Sequence, residues 1–185
     1  MPLAQDCLIH HNFEVHWKQN TVYRWRTPDQ QKLRSPMCPS EFRLAPLNFE
    51  SVELIKSKWY DDVPAVDDYI ATLVRQNPSL GVYLNSSGEL CAWVTLSEFG
   101  ALGTLHTVKE YRRKGYAQLL CHTLSEQVLQ TGSIVGAIVH DDNIASIKLF
   151  DSLEFKSSRD FFVYAFGTSA RKSNRVKIMS NCYQG

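Results

Sequence analysis

The sequence lacks the features that would place the chain in several large classes of protein. It has 20 basic and 19 acidic side chains among 185 residues, so neither charge dominates and no nucleic-acid partner is expected. No apolar run approaches the ~18 residues that a membrane-spanning helix needs, and no signal peptide opens the chain. We therefore expect an intracellular protein, cytoplasmic or mitochondrial and not secreted, that has no membrane partner.

Cysteine is scarce and unpaired. The five cysteines are odd in number and scattered, and none forms a Cys-x-x-Cys pair, so neither a zinc site nor a disulfide framework is indicated. His10, His11 and His16 crowd one segment, but no cysteine or carboxylate stands at ligand spacing beside them. We expect no metal.

What the sequence does contain is enough apolar material for one core. Hydrophobic residues make up 44% of the chain, which is sufficient for a single domain of this length. The composition changes near residue 40, because residues 1–40 show no clear period and are broken by Pro28, Pro36 and Pro39. We expect an N-terminal extension over 1–40, one folded domain over 41–166, and a polar, basic tail over 167–185.

Hydrophobic periodicity predicts the order β-α-α-β-β-β-α-β-α-β within the domain. The expected strands are Glu41–Leu47, Gly81–Leu84, Leu90–Ser97, Leu102–Val108, Ser133–His140 and Glu154–Phe166, and the expected helices are about Phe49–Trp59, Ala65–Asn77, Gly115–Gln130 and Ile144–Leu153. Strand 102–108, helix 115–130 and strand 134–140 form a crossover unit, which should place two parallel strands side by side.

A basic turn lies inside that crossover. Arg112-Arg113-Lys114-Gly115-Tyr116-Ala117 joins the apolar strand to the amphipathic helix. Such a turn directs several backbone N–H groups, and the positive end of the helix dipole, at one spot. The turn is therefore a candidate phosphate site, although a basic turn that merely begins a helix has the same pattern.

The turn and a second block together resemble the GNAT superfamily of acyl-CoA-dependent N-acyltransferases. Arg112, Gly115 and Ala117 match the superfamily's [Arg/Gln]-x-x-Gly-x-[Gly/Ala] turn. The second block runs from Asp142-Asn143-Ile144-Ala145-Ser146 to Leu149-Phe150-Asp151-Ser152-Leu153-Glu154-Phe155. The resemblance implies an α/β (α+β) GNAT fold, in which a mixed and mostly antiparallel sheet holds a parallel pair splayed around a β-α-β coenzyme A site.

Within that superfamily the chain most resembles glycine N-acyltransferase-like proteins. The residues behind this are Glu110–Tyr116, Asp141–Ile147 and the Cys91-Ala92-Trp93 strand. Such proteins carry another half-length region before the acyltransferase domain, and residues 1–40 are expected to be its remnant. The resemblance implies transfer of an acyl group from acyl-CoA or acetyl-CoA to the amine of a small acceptor such as glycine.

The resemblance also implies a set of coenzyme-binding residues. Backbone amides of residues 113–117 would hold the pyrophosphate, and the pantetheine arm would lie along the strand like an added strand. An N–H near Thr107 would stabilise the oxyanion. The full set is Leu105, Thr107, Lys109, Arg112, Arg113, Lys114, Gly115, Tyr116, Ala117, Asn143 and Phe150. Two of these residues also have a possible structural role instead of a coenzyme-binding one. Arg112 would hold the turn to a backbone carbonyl, and Asn143 would be a helix N-cap.

The catalytic side chains match the superfamily less well. Many members place a tyrosine where this chain has Phe150, and phenylalanine cannot protonate a thiolate; Tyr116 and Tyr164 are alternatives for that role. The candidate bases are His106, on the strand itself, and Glu98 just before the strand. If neither acts as a base, His106 is a packed core residue and Glu98 is a solvated surface carboxylate.

The acceptor site has few charged candidates. Lys58, Arg75 and Arg159 are the basic residues expected in its walls. We prefer Arg159 because its guanidinium group can bind a carboxylate through two hydrogen bonds.

Two other functions would use the same coenzyme-binding residues. One is a non-catalytic acyl-CoA-binding pseudoenzyme, and the other is a protein or peptide N-acetyltransferase.

Overall fold

The structure is a computed structural model that describes residues 13–58, 66–169 and 172–182, and the side chains of 21–58 and 69–157. The described residues form one eight-stranded sheet in the order β2-β3-β4-β5-β6-β1-β7-β8. Its strands are β1 (Phe13–Arg26), β2 (Phe42–Ala45), β3 (Ser79–Leu84), β4 (Leu90–Leu96), β5 (Ala101–Thr107), β6 (Val135–His140), β7 (Lys156–Ser169) and β8 (Lys172–Cys182).

Neighbouring strands of the described sheet are antiparallel, except that β5 and β6 are parallel. The sequence-based expectation of a mixed, mostly antiparallel sheet with one parallel pair is therefore confirmed. The crossover between β5 and β6 is the predicted helix, α3 (Tyr116–Gln130), preceded by a 3₁₀ turn at Lys109–Tyr111.

Helices cover the two faces of the sheet. On one face, α1 (Ser51–Ser57) and α2 (Val66–Gln76) pack over β3 and β4, and a core that includes Ile55, Ile70 and Trp93 lies between them. On the other face, α3 and α4 (Ile144–Ser152) enclose a core that includes Leu120 and Val135. Among the described residues, no helix is long and apolar enough to cross a bilayer.

The strand β1 is the main departure from the sequence-based element order. It lies in the middle of the sheet, where it pairs with β6 on one side and β7 on the other. Its side chains alternate in an unusual way, because Arg24 and Arg26 are buried whereas Tyr23 and Trp25 are half-buried. A hydrophobic-inside pattern therefore predicts the wrong face for this segment, and no strand was expected there.

The buried arginines attach β1 to the helices of the α3/α4 face. The Arg26 guanidinium donates to Glu126 of α3 at 2.8 Å and to the Gln31 carbonyl at 2.6 Å. The Arg24 guanidinium pairs with Asp151 of α4. Each arginine is thus paired with a carboxylate from a distant part of the sequence, which explains why charge can be buried in this strand.

The strand β8 was also absent from the sequence-based order. Residues 172–182 pair along β7, within the range that the sequence alone indicated as a polar, basic tail. Its backbone satisfies its hydrogen bonds through β7, so the polar composition does not prevent a strand. His10 and His11 lie outside the described residues.

Candidate functional site

The parallel pair opens toward its C-terminal ends. The only residues at which β5 and β6 are in register are Ala101 with Gly136 and Leu102 with Ala137, both near the start of each strand. The Gly136 N–H closes this end by donating to the Gly100 carbonyl at 2.8 Å. From residue 103 onward β5 has no paired partner on the β6 side, and the two strands enclose a gap. This is the splay that the sequence analysis required for a pantetheine arm.

A bulge interrupts β5 within this gap. The β4–β5 register steps from Trp93 opposite His106 to Thr95 opposite Gly103, so β5 carries one extra residue. Thr104 has a positive φ of 47° at this point, and its hydroxyl lies 2.9 Å from the Thr95 hydroxyl. A bulge re-aims the local backbone N–H and C=O groups away from the ladder, and here it does so along the gap.

The basic turn 112–117 lies beyond the C-terminal end of β5. Arg113 and Gly115 have φ values of 64° and 84°, and Gly115 is the N-cap of α3. Left-handed residues within a turn direct successive N–H groups toward one concavity, which is an anion-binding arrangement. A Cβ built on Gly115 meets no heavy atom within 4 Å, so the space in front of the turn is open. The turn therefore combines the backbone geometry of an anion site with open space in front of it.

Side chains hold this turn in place rather than fill it. The Arg112 Nε donates to the Thr107 carbonyl at 2.9 Å, which ties the turn to the end of β5. Lys114 lies over the Tyr111 ring at 5.3 Å, and the Tyr111 hydroxyl donates to Glu89. Tyr116 is buried in the α3/α4 core, and its ring centroid lies 5.0 Å from that of Phe42. The geometry matches the pinning role considered for Arg112.

The second sequence block forms the start of α4. The Asn143 Oδ1 accepts a hydrogen bond from the Ser146 N–H at 3.0 Å, so Asn143 is the N-cap of this helix. Phe150 is 4% exposed and packs edge-on against Phe155, with 5.0 Å between ring centroids. Position 150 therefore carries a buried apolar ring and no proton donor.

His106 lies beside the gap on the α1/α2 face. Its ring stacks on Trp93 with 4.8 Å between centroids. Burial lowers the pKa of His106 below the ordinary histidine value, and the nearby charges of Arg112 and Lys58 lower it further. The imidazole is therefore neutral at neutral pH and able to accept a proton.

Glu98 lies at the other end of β5. It is exposed in the turn between β4 and β5, where it accepts a hydrogen bond from the Tyr69 hydroxyl of α2 at 3.2 Å. Burial raises the pKa of Tyr69, and the Glu98 carboxylate raises it further. From Leu102 to His106 the strand spans roughly 13 Å, so the structure does not bring the two candidate bases together.

A second histidine, which the sequence analysis did not single out, faces the same side of the sheet. His140 ends β6, and it alternates with Val139, whose side chain belongs to the α3/α4 core. Burial lowers the pKa of His140, and Asp142 and Asp141 partly offset this. His106 and His140 thus stand at the C-terminal ends of the two splayed strands. Only the parallel register reveals this, because the sequence separates the two residues by a whole crossover.

The basic candidates for the acceptor site lie apart. Lys58 caps the end of α1, and the Arg75 guanidinium of α2 lies 5.5 Å from the centre of the Phe49 ring. Arg159 belongs to β7, between Ser157 opposite Arg24 and Phe161 opposite Val22, where the register is irregular. Its side chain, like that of Tyr164, lies outside the described residues.

The gap between parallel strands, the bulge and the anion-binding turn together define a GNAT fold. A family model described as FR47-like protein matches residues 79–163, which include β3 to α4 and part of β7. The matched range also includes the turn 112–117.

Solved structures share the fold at low sequence identity. A Drosophila protein solved by a structural genomics consortium superposes with a TM-score of 0.74 at 22% identity, covering 83% of this chain and 52% of that chain. A GCN5-related N-acetyltransferase from Sphaerobacter thermophilus gives 0.63 at 13% identity, covering 89% and 56%. A tandem GNAT protein from the clavulanic acid biosynthesis pathway gives 0.58 at 15% identity, covering 89% and 59%.

At such identities the solved structures establish the fold alone. The chain spans between half and three fifths of the length of the three solved chains described above.

Proposed function

We propose that the chain is an acyl-CoA-dependent N-acyltransferase that transfers an acyl group to the amine of a small acceptor. The observation that carries this proposal is the alignment of the anion-binding turn 112–117 with the gap between β5 and β6. The turn lies at the open end of the gap because the Arg112–Thr107 hydrogen bond holds it there. One extended ligand with a diphosphate at one end and an acyl thioester at the other fits both features.

The coenzyme would be held mainly by backbone groups. Amides of residues 113–117 would bind the diphosphate, with the positive end of the α3 dipole behind them. The pantetheine arm would bond to the unpaired edge of β5 at Leu105, Thr107 and Lys109, as an added strand does. Thr107 already accepts from Arg112 through its carbonyl, which leaves its second lone pair for the ligand.

The reaction requires a neutral amine that attacks the thioester carbonyl. The C–N bond forms as the carbonyl oxygen becomes an oxyanion, and the C–S bond then breaks and the thiolate takes up a proton. An N–H of the bulged strand would stabilise the oxyanion. His106 would accept the amine proton, a role that its lowered pKa supports because the ring is neutral at working pH. Glu98 is the alternative base.

Glycine or another amino acid is the acceptor that we propose, with Arg159 as the residue that binds its carboxylate. The sequence resemblance to glycine N-acyltransferase-like proteins supports this choice. Arg159 lies on β7 in the irregular stretch opposite β1, where the backbone is not locked in the ladder. A bidentate guanidinium contact would distinguish an amino acid from an uncharged amine.

One observation favours a second candidate, a non-catalytic acyl-CoA-binding protein. Phe150 occupies the position of the expected acid and is buried against Phe155. Tyr116 is no replacement in the described structure, because its side chain is buried on the α3/α4 face and burial raises its pKa.

Two measurements on the whole chain separate these functions. Calorimetry with acetyl-CoA and longer acyl-CoAs tests the coenzyme site, and an absence of heat at protein concentrations suited to micromolar binding would contradict both candidates. Turnover is then measured with glycine, with an uncharged amine and with a peptide amine. Turnover of glycine that Arg159→Gln impairs through KM, while the uncharged amine is unaffected, supports the amino-acid acceptor. Binding without turnover supports the non-catalytic protein.

A further inference from the structure

The closed end of the gap is bounded differently on its two sides. On the α3/α4 side, Leu102 and Ala137 belong to the continuous buried core. The opposite side carries the face of β6 that contains Gly136 and Ile138, and this face is covered by side chains of β1. On the face covered by β1, a group that enters the gap from the open end and continues past the bulge would have its exit toward β1.

Tyr23 occupies that exit. A Cβ built on Gly136 would lie 2.6 Å from the Tyr23 hydroxyl oxygen and 2.7 Å from a ring carbon, which is closer than real side chains approach. The phenol thus fills the space that a side chain at position 136 would need. Trp25 stacks behind it, with 6.0 Å between ring centroids and 12° between ring planes. Together, Tyr23 and Trp25 form an aromatic wall over the closed end of the gap.

The proposed coenzyme path along β5 would direct the acyl group at this wall. Five residues of extended strand separate Thr107 from Leu102, which is about 17 Å. In the proposed binding mode, a pantetheine arm that starts at the turn 112–117 and runs along β5 would bring its sulfur toward the bulge at Thr104. The acyl group would follow in the direction of Ala101 and Gly136, which pair at the closed end, and Tyr23 lies over Gly136.

We infer that Tyr23 sets the length of acyl group that the chain accepts, by closing the end of the acyl path. This inference rests on the proposed function. Tyr23 restricts the path to short acyl groups, because a longer chain must displace an aromatic ring that is packed against Gly136 on one side and Trp25 on the other. A hydrophobic pocket that gains room discriminates by roughly tenfold or more for each methylene it newly accommodates.

The test measures binding of acetyl-, hexanoyl- and octanoyl-CoA by calorimetry, so that no acceptor has to be known. In the native chain we expect lengthening to weaken binding. In Tyr23→Ala, and in Tyr23→Leu as a second variant that keeps apolar volume, the ratio of octanoyl to acetyl affinity should rise at least about tenfold. Tyr23→Phe keeps the ring and should retain the native order.

The double variant Tyr23→Ala with Gly136→Ala refills part of the opened space from the facing strand. It should return the affinity ratio partway toward the native value, which a general loosening of the sheet would not do. Thermal unfolding of each variant verifies that it is folded at the temperature of measurement.

The outcomes are distinct. Acyl-CoA binding with an unchanged chain-length order in Tyr23→Ala and Tyr23→Leu would overturn the role of Tyr23 and leave the proposed function standing. No binding of any acyl-CoA by the native chain would overturn both proposals.

Discussion

The turn 112–117 lies at the open end of the gap between β5 and β6, and the strand β1 lies on the other side of β6. The two arise from the sequence in opposite ways. The turn is local, because a strand, a glycine with positive φ and an amphipathic helix follow one another within a few residues. β1 is built by long-range contacts, since Arg24 and Arg26 find their carboxylates on α3 and α4. A short motif can therefore define a turn, while distant packing defines the strand that lies across β6 from it. If the proposed function holds, the first would bind the coenzyme and the second would limit the acyl group.

The largest effect is expected from breaking the attachment of β1. Arg26→Ala leaves Glu126, whose side chain is 14% exposed, without its partner, and should lower the free energy of unfolding by about 3–5 kcal/mol. Arg24→Ala is the matched control, because its partner Asp151 is 58% exposed and keeps much of its water. Urea unfolding at constant m-value measures both. Equal losses of unfolding free energy in the two variants would show that burial does not decide how much each ion pair stabilises the fold.

At the turn, Gly115→Glu places a side chain and a negative charge where the diphosphate is proposed to bind. We expect acyl-CoA affinity to fall by at least ~100-fold, because both the left-handed backbone and the anion site are affected. Gly132→Glu is a closely matched control: its φ is 80° against 84°, and neither added Cβ meets an atom within 4 Å. Gly132 follows the other end of α3, so an equal loss in the control would mean that the turn is not the anion site.

The two ends of β5 can be compared through their candidate bases. If His106 is the base, His106→Ala should lower turnover ~10²-fold while coenzyme affinity changes little. Glu98→Gln, at the closed end, should then have the smaller effect. The reverse order would assign the base to Glu98. Phe150→Tyr is informative in the same assay, since a gain in turnover would show that the native chain lacks a proton donor there.

The smallest effect is electrostatic. Arg112 and Lys58 both lower the pKa of His106, so Arg112→Gln and Lys58→Gln should each raise it. A base must be deprotonated to work, and the acid limb of the pH–rate profile should therefore move to higher pH in both variants. Arg112→Gln also removes the hydrogen bond to Thr107, whereas Lys58→Gln leaves the turn intact. If the acid limb of the pH–rate profile moves in neither variant, His106 is not the base and its role is structural.

Sequence patterns predicted well what depends on neighbours in the chain. The strands and helices from β2 to α4 were expected within a few residues of their bounds, and the parallel pairing of β5 and β6 followed from the crossover. Their splay was implied by the family resemblance. The N-cap at Asn143 was also recognised as an alternative. Each of these features depends on residues that are close together in the sequence, such as a hydrophobic period, a helix cap or a glycine in a turn.

What the sequence did not predict depends on distant partners. β1 buries arginines and leaves Tyr23 and Trp25 half-buried, so its pattern predicts no strand on its own. The fit of Tyr23 over Gly136 requires the antiparallel register of β1 and β6. Likewise, only the parallel register shows that His140 stands across the gap from His106.

The central place of β1 also has a consequence for synthesis. During translation β1 emerges well before β6 and β7, the two strands that it lies between. Its backbone groups then have no ladder to join, and its arginines precede the carboxylates of α3 and α4. The sheet can close only when residues up to β7 have been made, which gives the native state contacts of long sequence separation and slows folding. Until then the unpaired strand is open to incorrect pairing with other chains, and we expect the nascent protein to depend on protection at that stage.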